Sequence, residues 1–283
     1  MIRIALFADI HGKILLPFKM VDAYQKVYNE KIDLILQCGD VGIFPYIEKL
    51  DKATLHHAKR DSQELGFAGQ FRYINKPIRQ FLDELDIDMI CVRGNHEDHD
   101  FLDERESGSF KSRYPVDCYH RIYVCKSGMI QTYQKGDEKL IFMGIGRIGD
   151  RKGRSDKRFI QEYERKEIKK SLDQRQILDL LITHDVSSDM SSPGFGMDEL
   201  RPVLNQLKPA LHCYGHTGEA YKKEQDINNY TYAVKIKELE FNASGMLEDG
   251  CMLIFENEYE DFELKKVETS FLNRFTKFNW TVL

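Results

Sequence analysis

The chain lacks paired cysteines, long hydrophobic runs, an excess of positive charge and internal repeats, and each absence removes a class of protein. Its six cysteines, at 38, 91, 118, 125, 213 and 251, are scattered without a Cys-x-x-Cys pair. Zinc-thiolate sites need closely spaced cysteines, so buried, reduced thiols are expected instead. No apolar run approaches the roughly 20 residues that a membrane span needs. Ile2 to Ala8 is apolar but too short for a signal-peptide core, and Asp9 and His11 follow it at once. A cytoplasmic location with no membrane partner is therefore expected. The net charge is −5, so the whole molecule does not attract polyanions, and any contact with nucleic acid must come from a local basic patch. No repeat or low-complexity segment interrupts the chain.

What is present suits a globular α/β protein. The 283 residues are 42% hydrophobic and 31% charged, enough apolar material for a sizeable core. Ile2–Ala8, Asp33–Gln37, Ile87–Val92, Leu180–Thr183 and Ala210–Tyr214 read as buried strands. Leu15–Glu30 carries apolar residues at helical spacing, and helical patterns lie between most of the other strands, so βαβ-like connections are expected. Two stretches break the rhythm. Residues 45–80 form a long insertion rich in lysine, arginine and aromatics, read as a cap. Gly144–Lys170 opens with a glycine- and arginine-rich run before turning helical. The tail over 250–267 alternates as terminal antiparallel strands do. One domain over residues 1–283 is expected.

Each apolar strand ends in a polar or ionisable group: Asp9 and His11, Asp40, Asn95 and His96, His184, and His216. In open α/β sheets that edge binds ligands. Taken singly, an Asp after a strand is often a helix N-cap and a His there a structural one. Together they make the inventory of a two-metal phosphoryl-transfer site. Such a site places two divalent cations roughly 3.5–4 Å apart, bridged by a carboxylate and held otherwise by imidazoles and amide or carboxylate oxygens.

Asp9-Ile10-His11, Gly39-Asp40, Gly94-Asn95-His96-Glu97, His184 and Gly215-His216 follow in the order of the calcineurin-like metallophosphoesterase motifs, and the resemblance spans roughly residues 1–220. It implies two packed mixed β-sheets flanked by helices. It also implies a phosphoesterase in which a two-metal-activated hydroxide attacks phosphorus. By the same resemblance Asp9 and His11 hold the first metal, Asp40 bridges, and Asn95, His184 and His216 hold the second. His96 contacts phosphate and protonates the leaving oxygen. Glu97 and Asp185 orient neighbouring groups. Manganese is the first expectation for the metal pair, with Fe2+ and Zn2+ also suited to mixed nitrogen and oxygen donors.

One position departs from the family pattern. The last motif is usually Gly-His-x-His, its second histidine completing the first metal; here it is Gly215-His216-Thr217-Gly218. The first metal would keep only Asp9, His11 and Asp40, so the second is expected to bind more tightly. Within the family, the run Gly39-Asp40-Val41-Gly42 has no nearby arginine, unlike the phosphoprotein phosphatase branch. The layout is more similar to the RNA lariat debranching enzyme group. It shares an aromatic-bearing insertion after Gly-Asp, a Gly144-Ile145-Gly146-Arg147-Ile148 stretch with Arg151-Lys152-Gly153 behind it, and a His184-Asp185 pair. Arg147, Arg151 and Arg154 are candidate phosphate-binding residues, set against a solvated glycine-rich loop. In the insertion, Phe71 or Tyr73 could stack on a base, set against aromatics that simply belong to the core. The expected substrate is a phosphodiester of a nucleic acid or nucleotide. The alternatives are a phosphomonoester and a non-catalytic scaffold on the same fold.

Overall fold

Strand β1 (Ile2–Phe7) is apolar except for Arg3, which pairs with Glu256 of the neighbouring strand, because both its faces are covered. Ile2, Ile4 and Leu6 point into the space between two sheets, while Ala5 and Phe7 face the opposite way into a helix-covered layer. A strand with period-2 side chains and two buried faces shows no polar alternation. The computed structural model describes residues 1–150, 152–258 and 261–282, with the side chain of residue 261 left aside.

The strands in chain order are β1, β2 (Leu34–Gln37), β3 (Met89–Cys91), β4 (Arg113–Pro115), β5 (Ile122–Cys125), β6 (Ile130–Lys135), β7 (Glu138–Ile145), β8 (Leu180–Thr183), β9 (Leu211–Tyr214), β10 (Lys222–Gln225), β11 (Tyr232–Lys235), β12 (Leu253–Glu258) and β13 (Asp261–Lys266). Among the described residues they form a seven-stranded sheet, ordered β13-β12-β1-β2-β3-β5-β4, and a six-stranded sheet, ordered β10-β11-β9-β8-β7-β6. Both are mixed. In the first, β1, β2, β3 and β5 run parallel and β12 antiparallel to β1. In the second, β7, β8, β9 and β11 run parallel. The expected two-sheet architecture is the one observed. Leu6, Leu36 and Phe255 of one sheet meet Phe142, Ile182 and Cys213 of the other in the central layer.

Helices α1 (Leu15–Tyr28), α2 (Lys52–Ala58), α3 (Lys76–Leu85), α4 (His99–Ser107), α5 (Glu162–Asp173), α6 (Leu200–Leu207) and α7 (Thr269–Leu272) complete the fold. Leu16, Phe18 and Val21 of α1 bury against the outer face of the first sheet. Ile168 of α5 and Leu200, Val203 and Leu204 of α6 cover the outer face of the second. No described helix is long and apolar enough to cross a membrane. The six cysteines are all free, and Cys118 alone is not fully buried.

Residues 45–80 contain α2, the first half of α3 and short 3-10 and π-helical turns. Phe67 and Phe71 sink into the core, and Phe71 packs edge-on against Tyr119 at 5.5 Å. That corrects the reading of Phe71 as a base-stacking residue: its ring is wholly inside. Tyr73 stays exposed, with the Arg72 guanidinium 4.8 Å from its ring centre.

Candidate metal centre

The parallel strands of both sheets open their C-terminal ends toward the same point. The loops after β1 and β2 run side by side, tied by Asp9 N–H to Gly39 O (3.1 Å) and by His11 N–H to Asp40 O (3.0 Å). The two sheets are joined there by Arg147 N–H to Arg93 O (2.7 Å), and β9 is tied to β8 by Gly215 N–H to His184 O (3.2 Å). Asp9, His11, Asp40 and His216 all hold left-handed backbones, with φ of 46°, 39°, 52° and 72°. Non-glycine residues adopt that region at a cost and gather at functional sites. Two glycines allow the close approach. A Cβ on Gly94 would strike Asp40 Oδ1, and one on Gly215 would strike Asp9 Oδ2.

The candidate ligands come together as two overlapping groups. Asp9, His11 and Asp40 have ligand atoms within 4.8 Å of one another, and so do Asp40, His184 and His216. Asp40 is the residue common to both. Asn95 joins the second group, its Oδ1 lying 2.9 Å from His184 Nε2, which is itself 3.4 Å from Asp40 Oδ2. His184 Nδ1 lies 3.0 Å from the Cys38 carbonyl, which fixes that nitrogen as an N–H donor and turns Nε2 toward Asn95 and Asp40. Around them is a cavity of about 310 Å³, lined also by Thr54 and His57 of α2 and by Glu64, Glu238 and Glu240.

The charges ask for a cation. Asp9 and Asp40 are 3% and 2% exposed, and buried carboxylates are costly without a positive partner. Burial opposes the charged form of Asp40, but His184 and its hydrogen bond hold the carboxyl well below the usual range. Burial likewise opposes charge on His184, yet Asp40 and Asp9 draw it up to about 9. Burial raises Asp9. Burial and the adjacent His184 push His216 down to about 3, so it stays neutral. The protein alone thus balances its carboxylates with a proton on His184. An ionised carboxylate shared by two groups, neutral imidazoles and an amide oxygen fit divalent cations in place of that proton.

His96 stands apart from the ligand groups. Its backbone N–H donates to Asp40 Oδ1 (2.8 Å) and its Nδ1 lies 2.9 Å from Asp51 Oδ2. Asp51 is a residue that the motifs gave no reason to notice. It caps α2, accepting from Ala53 and Thr54 N–H, and reaches His96 with its other oxygen. Burial works against its charge, but the His96 and Thr54 hydrogen bonds hold it at about 2. For His96, burial lowers the pKa and the Asp51 and Asp40 carboxylates outweigh it, so the net shift is upward. Glu97 braces the Asp40 loop, accepting from Val41 N–H (2.9 Å) and Ile43 N–H (2.5 Å). Asp185 accepts from Gly149 N–H (2.9 Å). Lys235, 1% exposed, adds a buried positive charge near Asp9 that sequence reading missed.

Arg147 does not face solvent or either cavity. Its side chain is 0% exposed and pairs with Glu164 (2.9 Å) and Asp103 (3.0 Å). Beside it Arg93 binds Asp103 and Glu106. These buried ion pairs tie the loop after β7 to α4 and α5, which corrects the assignment of Arg147 to phosphate binding. Arg151 lies outside the described residues. A second cavity of about 580 Å³ adjoins the ligand groups at Asn95 and His216. It is lined by Lys152, Arg154, Arg158, Phe159 and Phe195 among others. Arg154 packs 3.7 Å from the Phe159 ring centre, and Phe195 is 67% exposed.

The profile of the calcineurin-like phosphoesterase family matches residues 2–220. No curated protein is similar enough in sequence to match the chain. Among solved structures, the TT1561 protein of Thermus thermophilus aligns with 94% of this chain and 99% of its own, at 12% identity and a TM-score of 0.53. Identity that low speaks for the fold alone. A 5'-nucleotidase of Candida albicans aligns with 98% of this chain and 53% of its own, at 12% identity and a TM-score of 0.48.

Proposed function

This chain belongs to the calcineurin-like phosphoesterase family, and from that premise we propose that it is a two-metal hydrolase of a phosphodiester in a nucleic acid or nucleotide. The observation that carries the reading is the pair of ligand groups sharing Asp40. Asp9, His11 and Asp40 would hold one ion, and Asp40, Asn95, His184 and His216 the other, with Mn2+ as the first choice. Bound there, the ions would supply a nucleophile near neutral pH and neutralise charge growing on the phosphoryl oxygens.

The protein's own part is positioning and proton transfer. Asp51, kept ionised, holds Nδ1–H of His96 and leaves Nε2 to face the phosphoryl group. An imidazole drawn upward in pKa by two carboxylates carries the proton that a leaving alkoxide needs. Gly94 and Gly215 let the backbone close on Asp40 and Asp9, fixing both carboxylates before substrate arrives. The basic cavity beside Asn95 and His216 favours a diester. A diester has groups on both sides of phosphorus, and the cations and exposed Phe195 offer a place for a second anion and a flat ring.

Turnover of bis(p-nitrophenyl) phosphate and p-nitrophenyl phosphate with Mn2+ tests this side by side. Diester turnover exceeding monoester turnover is the expected result. The reverse order replaces the reading with a phosphomonoesterase. No turnover of either with any divalent metal leaves a scaffold on the same fold.

A further inference from the structure

The two cavities beside the ligand groups share His216 and Thr217, but only one of them holds the proton donor. The His96 ring stands 5.8 Å from the His11 ring and lines the first cavity, not the second. The charged residues divide the same way. Asp9, Asp40, Glu64, Glu238 and Glu240 line the first cavity, with no lysine or arginine beside them. Lys152, Arg154 and Arg158 line the second. Of its two carboxylates, Asp185 is turned to the backbone N–H groups of Gly149 and Val186, and Glu219 is exposed. The second cavity also carries a ring that the fold presents to solvent. Phe195 is 67% exposed. Its N–H donates to Ser192 O (3.0 Å), and Met197 N–H donates to Val186 O (2.8 Å). Between them Gly196 has φ of 78°, and a Cβ there would strike Ser188 Cα at 2.7 Å, so the turn is packed close on its neighbour. An exposed phenylalanine by itself needs no explanation. This one is held by a pinned turn, in a cavity that reaches the ligand groups at Asn95 and His216.

Resting on the hydrolase reading above, we infer that the site is oriented: the group that stays on phosphorus is a nucleoside whose base stacks on Phe195 in the second cavity, and the leaving alcohol departs through the first. Protons and charge both give that direction. Hydrolysis breaks the bond from phosphorus to the leaving oxygen. Water adds its oxygen to phosphorus, and one proton ends on the leaving oxygen. The substituent on that oxygen therefore lies on the side of His96, which supplies the proton. The alcohol released is neutral and can pass a wall of carboxylates. The phosphomonoester left behind gains negative charge and is favoured beside Lys152, Arg154 and Arg158. A cavity of about 580 Å³ is in the range that holds small molecules. Stacking on an aromatic ring is tolerant of base identity, so Phe195 selects nucleosides as a class and not one base. Phe195 is a specificity-determining residue, remote from the bond that breaks.

Two esters that share a leaving group and differ only in what stays on phosphorus test this: thymidine 5'-(p-nitrophenyl phosphate) and methyl p-nitrophenyl phosphate. With Mn2+ the wild type should favour the thymidine ester. Phe195→Ala should lower the ratio of the two kcat/KM values at least about fivefold, chiefly through KM. Phe195→Tyr, which keeps a ring, should hold most of the ratio. Equal melting temperatures would show that both variants fold. Binding is read separately in Phe195→Trp, where the buried Trp280 is the one native indole. The emission of the added indole should be quenched more strongly by thymidine 5'-monophosphate than by inorganic phosphate. An active enzyme whose ratio does not move in Phe195→Ala would overturn the inference and leave the hydrolase reading standing, since only a group common to both esters could then touch the ring. Equal quenching by the nucleotide and by inorganic phosphate would also overturn it. A wild type that hydrolyses neither ester with Mn2+, Fe2+ or Zn2+ would remove the hydrolase reading itself, and the inference with it.

Discussion

Two cavities meet at His216 and Thr217, and they are built in opposite ways. The acidic one is made chiefly from the ends of parallel strands. Its Asp9, Asp40 and Glu64 carboxylates are buried, four of its backbones are held in left-handed conformations, and its loops are cross-tied by main-chain hydrogen bonds. The basic one is made from the loop after β7 and the turns after β8. Its Arg154 is shared with Asp150 and its Arg158 with Asp156. A buried site pre-set by strands suits chemistry that must be the same at each turnover. An exposed site of long side chains suits recognition, where reach and adaptability matter more than fixed geometry. The buried Arg147–Glu164 pair anchors the start of the loop that leads into the second cavity, next to the Arg93–Glu106 pair, while the cavity's own cations are half exposed.

The largest test of this contrast is Asp40→Asn, which removes the carboxylate common to both ligand groups. Loss of both ions in a metal count and a fall in kcat of at least about a thousandfold, roughly 4 kcal/mol, are expected. A fall of less than tenfold would mean that the acidic cavity is not where the chemistry occurs. Next comes His96→Ala, for which kcat should drop about 10²–10³-fold with metal binding intact, because proton transfer is lost while the ligands remain. A pH scan addresses the frame under the acidic cavity. His212 in β9 is buried and held down to about 3, whereas an unfolded histidine titrates near 6.5. Its stabilising contribution is present above pH 6.5 and is lost as pH falls toward 3, since the unfolded chain binds the proton first. About 2 kcal/mol should be lost at pH 5 relative to pH 7.5. Denaturant unfolding of the metal-free protein should show this, with a shallower loss in His212→Gln. The smallest effect is expected in the basic cavity. Lys152→Ala should raise KM for a diester roughly three- to tenfold with kcat little changed, and added salt should narrow the difference. A drop in kcat with KM unchanged would merge the two cavities into one catalytic unit.

The elements differ in how far they could be read beforehand. Leu180–Thr183 falls on β8 to the residue, and the other four apolar runs fall on β1, β2, β3 and β9 within a few residues at their ends. The residues gathered at the candidate centre could be grouped from the sequence because each lies within four residues of a strand end, where the chain has little freedom to send them elsewhere. Arg147 follows a strand just as directly, yet its long side chain turned inward to Glu164 and Asp103. Phe71 and Tyr73 are two residues apart in one basic segment, and one is core while the other is exposed. Local pattern could not separate them, because the segment is neither strand nor long helix. Asp51 sits in a cap remote from any motif and is found only by its distance to His96.

What the sequence by itself determined is the chemistry on offer and the edge at which it is delivered. The apolar strands define a sheet, strand ends define an edge, and the residue after each end is a fixed consequence of chain connectivity. What only the tertiary structure decided is which of the remaining charged residues reach that edge. Glu240 lies 229 residues after His11 in the numbering, and the carboxylate comes within 3.9 Å of the imidazole only because Leu239 hydrogen-bonds to the end of β1. Arginine and glutamate side chains are long enough to point either to solvent or to a buried partner. That choice is made by what the fold packs beside them, and no local spacing records it.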